Sequence, residues 1–170
     1  MQKNLSELAA LYFEEKIKIA SKINLHNILE LYKSVLKAYK NDSHVFILGN
    51  GGSASIAEGF AVDLRTHPFV AEDKSVTTNT RRLKVISLTE SSGLLTGISN
   101  DIGFQEVFTE QMKNFSRNDN NNSDLLICLS GSGNSLNVIS AIQFAKANSI
   151  TTSCISGRGG GKAAELVDIS

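Results

Sequence analysis

Glycine and serine gather at four points of this sequence, each just after a short apolar run. The clusters are Gly49-Asn50-Gly51-Gly52-Ser53, Thr89-Glu90-Ser91-Ser92-Gly93, Ser130-Gly131-Ser132-Gly133-Asn134-Ser135 and Ser156-Gly157-Arg158-Gly159-Gly160-Gly161. Glycine lets a backbone approach a ligand closely and take positive φ. Where a helix follows at once, its free N–H groups and the positive end of its dipole favour an anion. One such cluster reads as a turn and a helix cap; four together point to an anion site. Hydroxyls and amides with little lysine suit a monophosphate on a neutral body, such as a phosphorylated sugar. The first cluster is not a nucleotide loop. It lacks the lysine of G-x-x-x-x-G-K-[ST], and Ala54 stands where a third glycine of G-x-G-x-x-G would be.

These clusters need elements to position them. Four β-rich runs precede them: HVFILG (44–49), KVISLT (84–89), DLLICLS (124–130) and ITTSCIS (150–156). Their centres are almost continuously apolar, as in strands buried on both faces. Segments 53–66, 91–116 and 134–147 are long enough for crossover helices. Strand and helix in alternation predict a parallel sheet with right-handed crossovers. Residues 4–40 read as two helices, with Leu5, Leu8, Tyr12 and Ile19 at helical spacing in the first and Ile28, Tyr32, Val35, Leu36 and Tyr39 in the second. Asn24 is a candidate N-cap for the second. The expected fold is α/β: a three-layer sandwich around a doubly wound parallel sheet, with an N-terminal helical hairpin (1–42) on a core (43–170) in a single domain. Residues 67–82 and 117–123 read as loops. Ligands of such sheets bind beyond the carboxyl ends of the strands, where all four clusters fall.

Composition narrows the function. Lysine plus arginine balance aspartate plus glutamate, 17 against 17, so charge recruits neither nucleic acid nor an acidic membrane surface. No apolar run reaches the ~18 residues of a membrane span, and the N-terminus lacks the apolar centre of a signal peptide. A cytoplasmic protein is expected, with Cys128 and Cys154 as buried free thiols.

Four stretches in this order, GNGGSA (49–54), SND-GF (99–104), SGSGNS (130–135) and GGK-AELVD (160–168), resemble the phosphoheptose isomerase branch of the SIS (sugar isomerase) family, whose sheet is flavodoxin-like. The resemblance runs the length of the chain. It implies interconversion of sedoheptulose 7-phosphate and D-glycero-D-manno-heptose 7-phosphate, for the heptose of bacterial lipopolysaccharide or capsule, by a homotetramer that binds zinc. It implies substrate contacts from Asn50, Gly51, Gly52, Ser53, Asn100 and Asp101. The phosphate would be held by Ser130, Gly131, Ser132, Gly133, Asn134 and Ser135. Gly131 departs from the threonine common in the family, which removes a hydroxyl and leaves the amide.

Aldose–ketose isomerisation needs a positioned base and stabilisation of an enediolate oxygen. In the family, the helix after GNGGS carries a histidine and, four residues on, a glutamate that is both base and metal ligand. Here that pair is Gly59 and Asp63. Asp63 is thus the expected catalytic carboxylate and the one remaining metal donor of the pair, shortened by a methylene. The resemblance also implies a final strand and helix, bearing a glutamine and a histidine, beyond Ser170. Three other residues were weighed. His67 stands as a ligand or acid/base against a solvated loop histidine, and Glu90 as a substrate contact. Glu58 adjoins Gly59 but points about 100° away around a helix. His26 and His44 read as structural. The alternative function is a non-catalytic module that binds a sugar phosphate or another protein, as in a replication-initiator-binding relative.

Overall fold

The computed structural model describes residues 4–71, 73–75, 80–115 and 123–170. Helix α1 (Leu5–Ala20) opens with a capping box: Asn4 Oδ1 accepts from Glu7 N at 2.9 Å, and Glu7 Oε2 accepts from Asn4 N at 3.2 Å. Helix α2 (Leu25–Lys40) is capped by Asn24, whose Oδ1 accepts from His26 N at 3.0 Å. Both helices are as the sequence predicts. None of the residues of α1 is buried, although its apolar residues recur at helical spacing.

Strand β1 (His44–Gly49) runs into α3 (Gly52–Thr66), which ends in a short 3-10 turn at His67–Phe69. Strand β2 (Lys84–Ser87) leads to α4 (Ser92–Asp101). The long helix expected over 91–116 is divided. Gly103 takes a φ of 139°, closed to side-chain-bearing residues, and a 3-10 turn at Phe104–Glu106 separates α4 from α5 (Thr109–Lys113). Strand β3 (Leu125–Ser130), α6 (Leu136–Ala147), β4 (Thr151–Ser156) and α7 (Gly161–Leu166) complete the chain. Part of each predicted loop, 72, 76–79 and 116–122, lies outside the described residues.

The sheet is parallel throughout, in the order β2-β1-β3-β4. Alternate residues of each strand feed two cores, which is why the strands read as unbroken apolar runs. Val45, Ile47, Leu125 and Ile127 pack with Ala38 of α2 and with Ala57 and Ala61 of α3. Phe46, Leu48, Leu126 and Cys128 pack with Met112, Val138 and Ile142 on the other face. Three layers result. Cys128 and Cys154 are free, buried and in register on β3 and β4. Burial pushes the Cys154 thiol up to about 11.

Ile169 pairs in parallel with Ser153, beside β4. Asp168 secures this tail: its carboxylate accepts from Thr152 N at 2.8 Å, Thr152 Oγ1 at 2.7 Å and Lys146 Nζ at 2.9 Å. Residues 168–170 therefore occupy the start of a fifth position in the sheet.

Candidate active site

The chain turns outward from β1 to β2 and then returns to β3 on the other side of β1. The carboxyl ends of β1 and β3 thus flank the topological switch, where ligands of such sheets bind. The Gly49–Ser53 and Ser130–Ser135 loops stand there side by side.

The second loop is built by its own polar groups. Ser130 Oγ is buried and accepts from Gly133 N at 3.1 Å, so it shapes the loop from beneath. Ser132 Oγ accepts from Asn134 N at 3.2 Å and keeps its hydroxyl proton to donate. Ser135 caps α6 without a side-chain bond, which leaves its hydroxyl available. Gly131 is open, with nothing within 4 Å of where a Cβ would lie. The hydroxyls of Ser132 and Ser135 are therefore free to face an anion, whereas the amides of Gly133 and Asn134 are engaged within the loop.

This loop interlocks with the one after β4. A Cβ on Gly133 (φ 66°) would collide with the Gly160 carbonyl, and one on Gly157 would come within 3.1 Å of the Gly131 carbonyl. Ala163 N donates to Gly133 O at 2.9 Å, and Lys162 N donates to Asn134 Oδ1 at 3.0 Å. Asn134 is thus spent on joining the two loops.

The first loop is tied to the second through Asn50, whose side-chain amide makes reciprocal 2.9 Å hydrogen bonds with that of Asn137 in the first turn of α6. Beside them opens a cleft of about 450 Å³ lined by Asn50, Phe104, Gln105, Ser135, Leu136 and Asn137. Gly51 and Gly52 are exposed at the start of α3, with Ser53 half-buried behind them. Asn100 and Asp101 lie at the end of α4, their side chains bonded to each other at 2.9 Å, four and three residues before Phe104. They adjoin the cleft along the chain without lining it.

A family description of the SIS domain matches residues 11–157. The phosphoheptose isomerase of Helicobacter pylori is 37% identical over 157 residues, 90% of this chain and 76% of that protein. That of Neisseria meningitidis is 34% identical over 166 residues, 96% of this chain and 78% of that protein. The solved phosphoheptose isomerase of Neisseria gonorrhoeae matches with a TM-score of 0.81 at 32% identity, over 97% of this chain and 82% of that one. The chain belongs to the phosphoheptose isomerase family of SIS domains.

Helix α3 presents an exposed face beyond the first loop. Gly59 and Asp63 share that face, with open space where a Gly59 side chain would stand. Asp63 Oδ1 lies 3.4 Å from Nδ1 of His67, one turn further on, and both side chains are more than half exposed. His67, weighed from sequence as a ligand or acid/base against a solvated loop histidine, is thus paired with the expected base. Glu90 is engaged elsewhere: both of its carboxylate oxygens accept from Arg65, at 3.0 and 3.1 Å. His44 lies at the amino end of β1, 15% exposed and 3.6 Å from Asp124 Oδ1, far from the strand ends that form the site.

The donors of this chain do not fit the zinc that the resemblance implies. Gly59 offers no donor atom, and among the described residues no three of His, Cys, Asp or Glu converge. Asp63 and His67 are two exposed donors, whereas zinc sites take three or four ligands. Asn137 was not found from sequence. An asparagine in a helix following a serine-rich loop reads as surface polarity; its partner lies 87 residues away.

Proposed function

We propose that this protein is a sugar-phosphate isomerase acting on sedoheptulose 7-phosphate, in the synthesis of bacterial surface heptose. The observation that carries the reading is the interlocked pair of loops at the ends of β3 and β4, set beside the Asn50 loop at the switch point. Backbone amides of Gly131, Ser132 and Ser135 and the hydroxyls of Ser132 and Ser135 receive the phosphate. Asn50, Gly51, Gly52 and Ser53 meet the sugar from one side, and Asn100 and Asp101 approach from the other.

Asp63 is the base. Its carboxylate takes the proton from C1 of the ketose as the enediol forms, exchanges it with solvent, and returns a proton to C2. The O1 hydroxyl proton passes to O2, which leaves an aldehyde at C1 and a hydroxyl at C2. No step is assigned to a metal. Assembly into a homotetramer in the cytoplasm belongs to the same reading. It is supported by the exposed Leu5, Leu8, Tyr12 and Phe13 of α1, and by Ile56 and Val62, exposed on the helix that carries Asp63.

Incubation with sedoheptulose 7-phosphate in deuterated water tests the chemistry. Solvent deuterium is expected at the carbon beside the carbonyl, and Asp63→Asn is expected to abolish its incorporation. One observation favours a second reading. Because Gly59 supplies nothing to the pair, the chain is left with a shortened carboxylate, and a small error in reach costs about 10²-fold in rate. Tight binding of the sugar phosphate without exchange would establish a non-catalytic phosphosugar-binding module instead.

A further inference from the structure

Asn137 is 3% exposed, and its side-chain hydrogen bonds converge on one outcome. Its Oδ1 accepts from Val138 N at 3.0 Å and from Asn50 Nδ2 at 2.9 Å. Its Nδ2 donates to Asn50 Oδ1 at 2.9 Å. A carboxamide can turn over and exchange its oxygen for its nitrogen, and a partner that does both jobs does not prevent it. Val138 N–H does prevent it, because a backbone amide only donates. It fixes Oδ1 of Asn137 on its own side. Asn137 then presents one acceptor and one donor to Asn50 in a fixed order, and Asn50 must answer in the complementary order.

We propose that Asn137 is a positioning residue that sets the polarity of Asn50 toward the ligand. Each group of the Asn50 amide has half its capacity engaged: one N–H and one lone pair remain. Asn50 is half-buried at the edge of the cleft, beside Ser135 of the phosphate loop. Its orientation decides where the free N–H and the free lone pair meet a sugar hydroxyl or carbonyl. Two loops far apart in sequence are thereby joined by one amide pair, and the order of donor and acceptor is inherited from the backbone of α6. The proposal rests on the phosphosugar reading for the identity of the ligand, and not for the state of Asn50.

Two ligands and one spectroscopic signal test it. Inorganic phosphate reports on the phosphate loop alone, whereas sedoheptulose 7-phosphate reports on that loop and Asn50 together. Asn137→Ala is expected to weaken the sugar phosphate roughly tenfold, the scale of one or two lost hydrogen bonds, and to leave phosphate affinity unchanged. The same change in an Asn50→Ala background is expected to have no further effect, since coupled residues are non-additive. Equal losses for both ligands would mean a merely structural role and overturn the proposal; so would additive effects of the two substitutions. Independently of any ligand, the side-chain NH2 of Asn50 is expected to be shifted and protected from exchange in the NMR spectrum of the wild type. Both features are expected to vanish in Asn137→Ala. Should that variant fail to fold, Asn137→Leu is close to asparagine in size and offers Asn50 neither acceptor nor donor, and the same loss of the signal is expected. An Asn50 amide that is unprotected in the wild type, or unchanged in the variants, sinks the proposal whether or not the sugar binds.

Discussion

Gly59 carries two meanings that can be separated by substitution. In an exposed helix interior, glycine costs roughly 0.8–1 kcal/mol relative to alanine, and nothing stands within 4 Å of where its Cβ would lie. Gly59→Ala is therefore expected to raise stability by about that amount, read from denaturant midpoints at constant slope. A loss of stability would show that the helix face is occupied in solution. The same open space would admit a histidine, so the vacancy in the family's pair is one of chemistry and not of room. Asp63 and His67 show what local sequence conveys at this scale. Their spacing places them on one face, and the structure brings them to 3.4 Å. Ser130 and Asn134 show its limit. Both belong to the glycine–serine loop that sequence singles out, yet their side chains build the loop, Ser130 through Gly133 and Asn134 through Lys162. A serine count does not tell a hydroxyl that meets a ligand from one that holds a turn.

Among the elements, the strands were legible because both faces are buried, and the helices next to them because their caps are local. What escaped was contact between distant segments. The division of α4 from α5 turns on Gly103, one glycine in an otherwise helix-compatible stretch. The packing of the 157–161 loop onto 131–133 depends on the β3–β4 register, which no local pattern contains. The tail beside β4 gives a pH prediction. Burial alone would raise the Asp168 carboxyl, but the Thr152 hydroxyl, Lys146 and the Thr152 amide together outweigh it and hold it below its ordinary value. A carboxyl lowered on folding stabilises the fold above its unfolded pKa of about 3.9, and that contribution is lost as the pH falls through the lower folded value. Asp168→Asn is expected to cost about 1 kcal/mol at neutral pH, the worth of a hydrogen bond or so. The gap to the wild type should close in acid, as measured by urea midpoints across the range. A gap that stays constant with pH would remove the charge from the account.

At the scale of the molecule, the loops after β1, β3 and β4 gather at the switch point of the sheet. Among the described residues no helix is long and apolar enough to cross a membrane. A ligand that binds only the folded chain stabilises it by mass action, by about 2.7 kcal/mol at a hundredfold excess over Kd. Sedoheptulose 7-phosphate at that excess is accordingly expected to raise the melting temperature by roughly 5–11 °C, by the usual scaling for a domain of this size. No shift at saturating ligand would count against the phosphate loop as a binding site. The contact of Gly133 with Gly160 has a consequence in time as well as in space. Residues 130–135 emerge from synthesis well before residues 157–161, and until the later loop docks only the bonds of Ser130 and Ser132 hold the earlier one in shape. The final form of the loop therefore arrives late in folding, as an event that records the docking of β4 and α7.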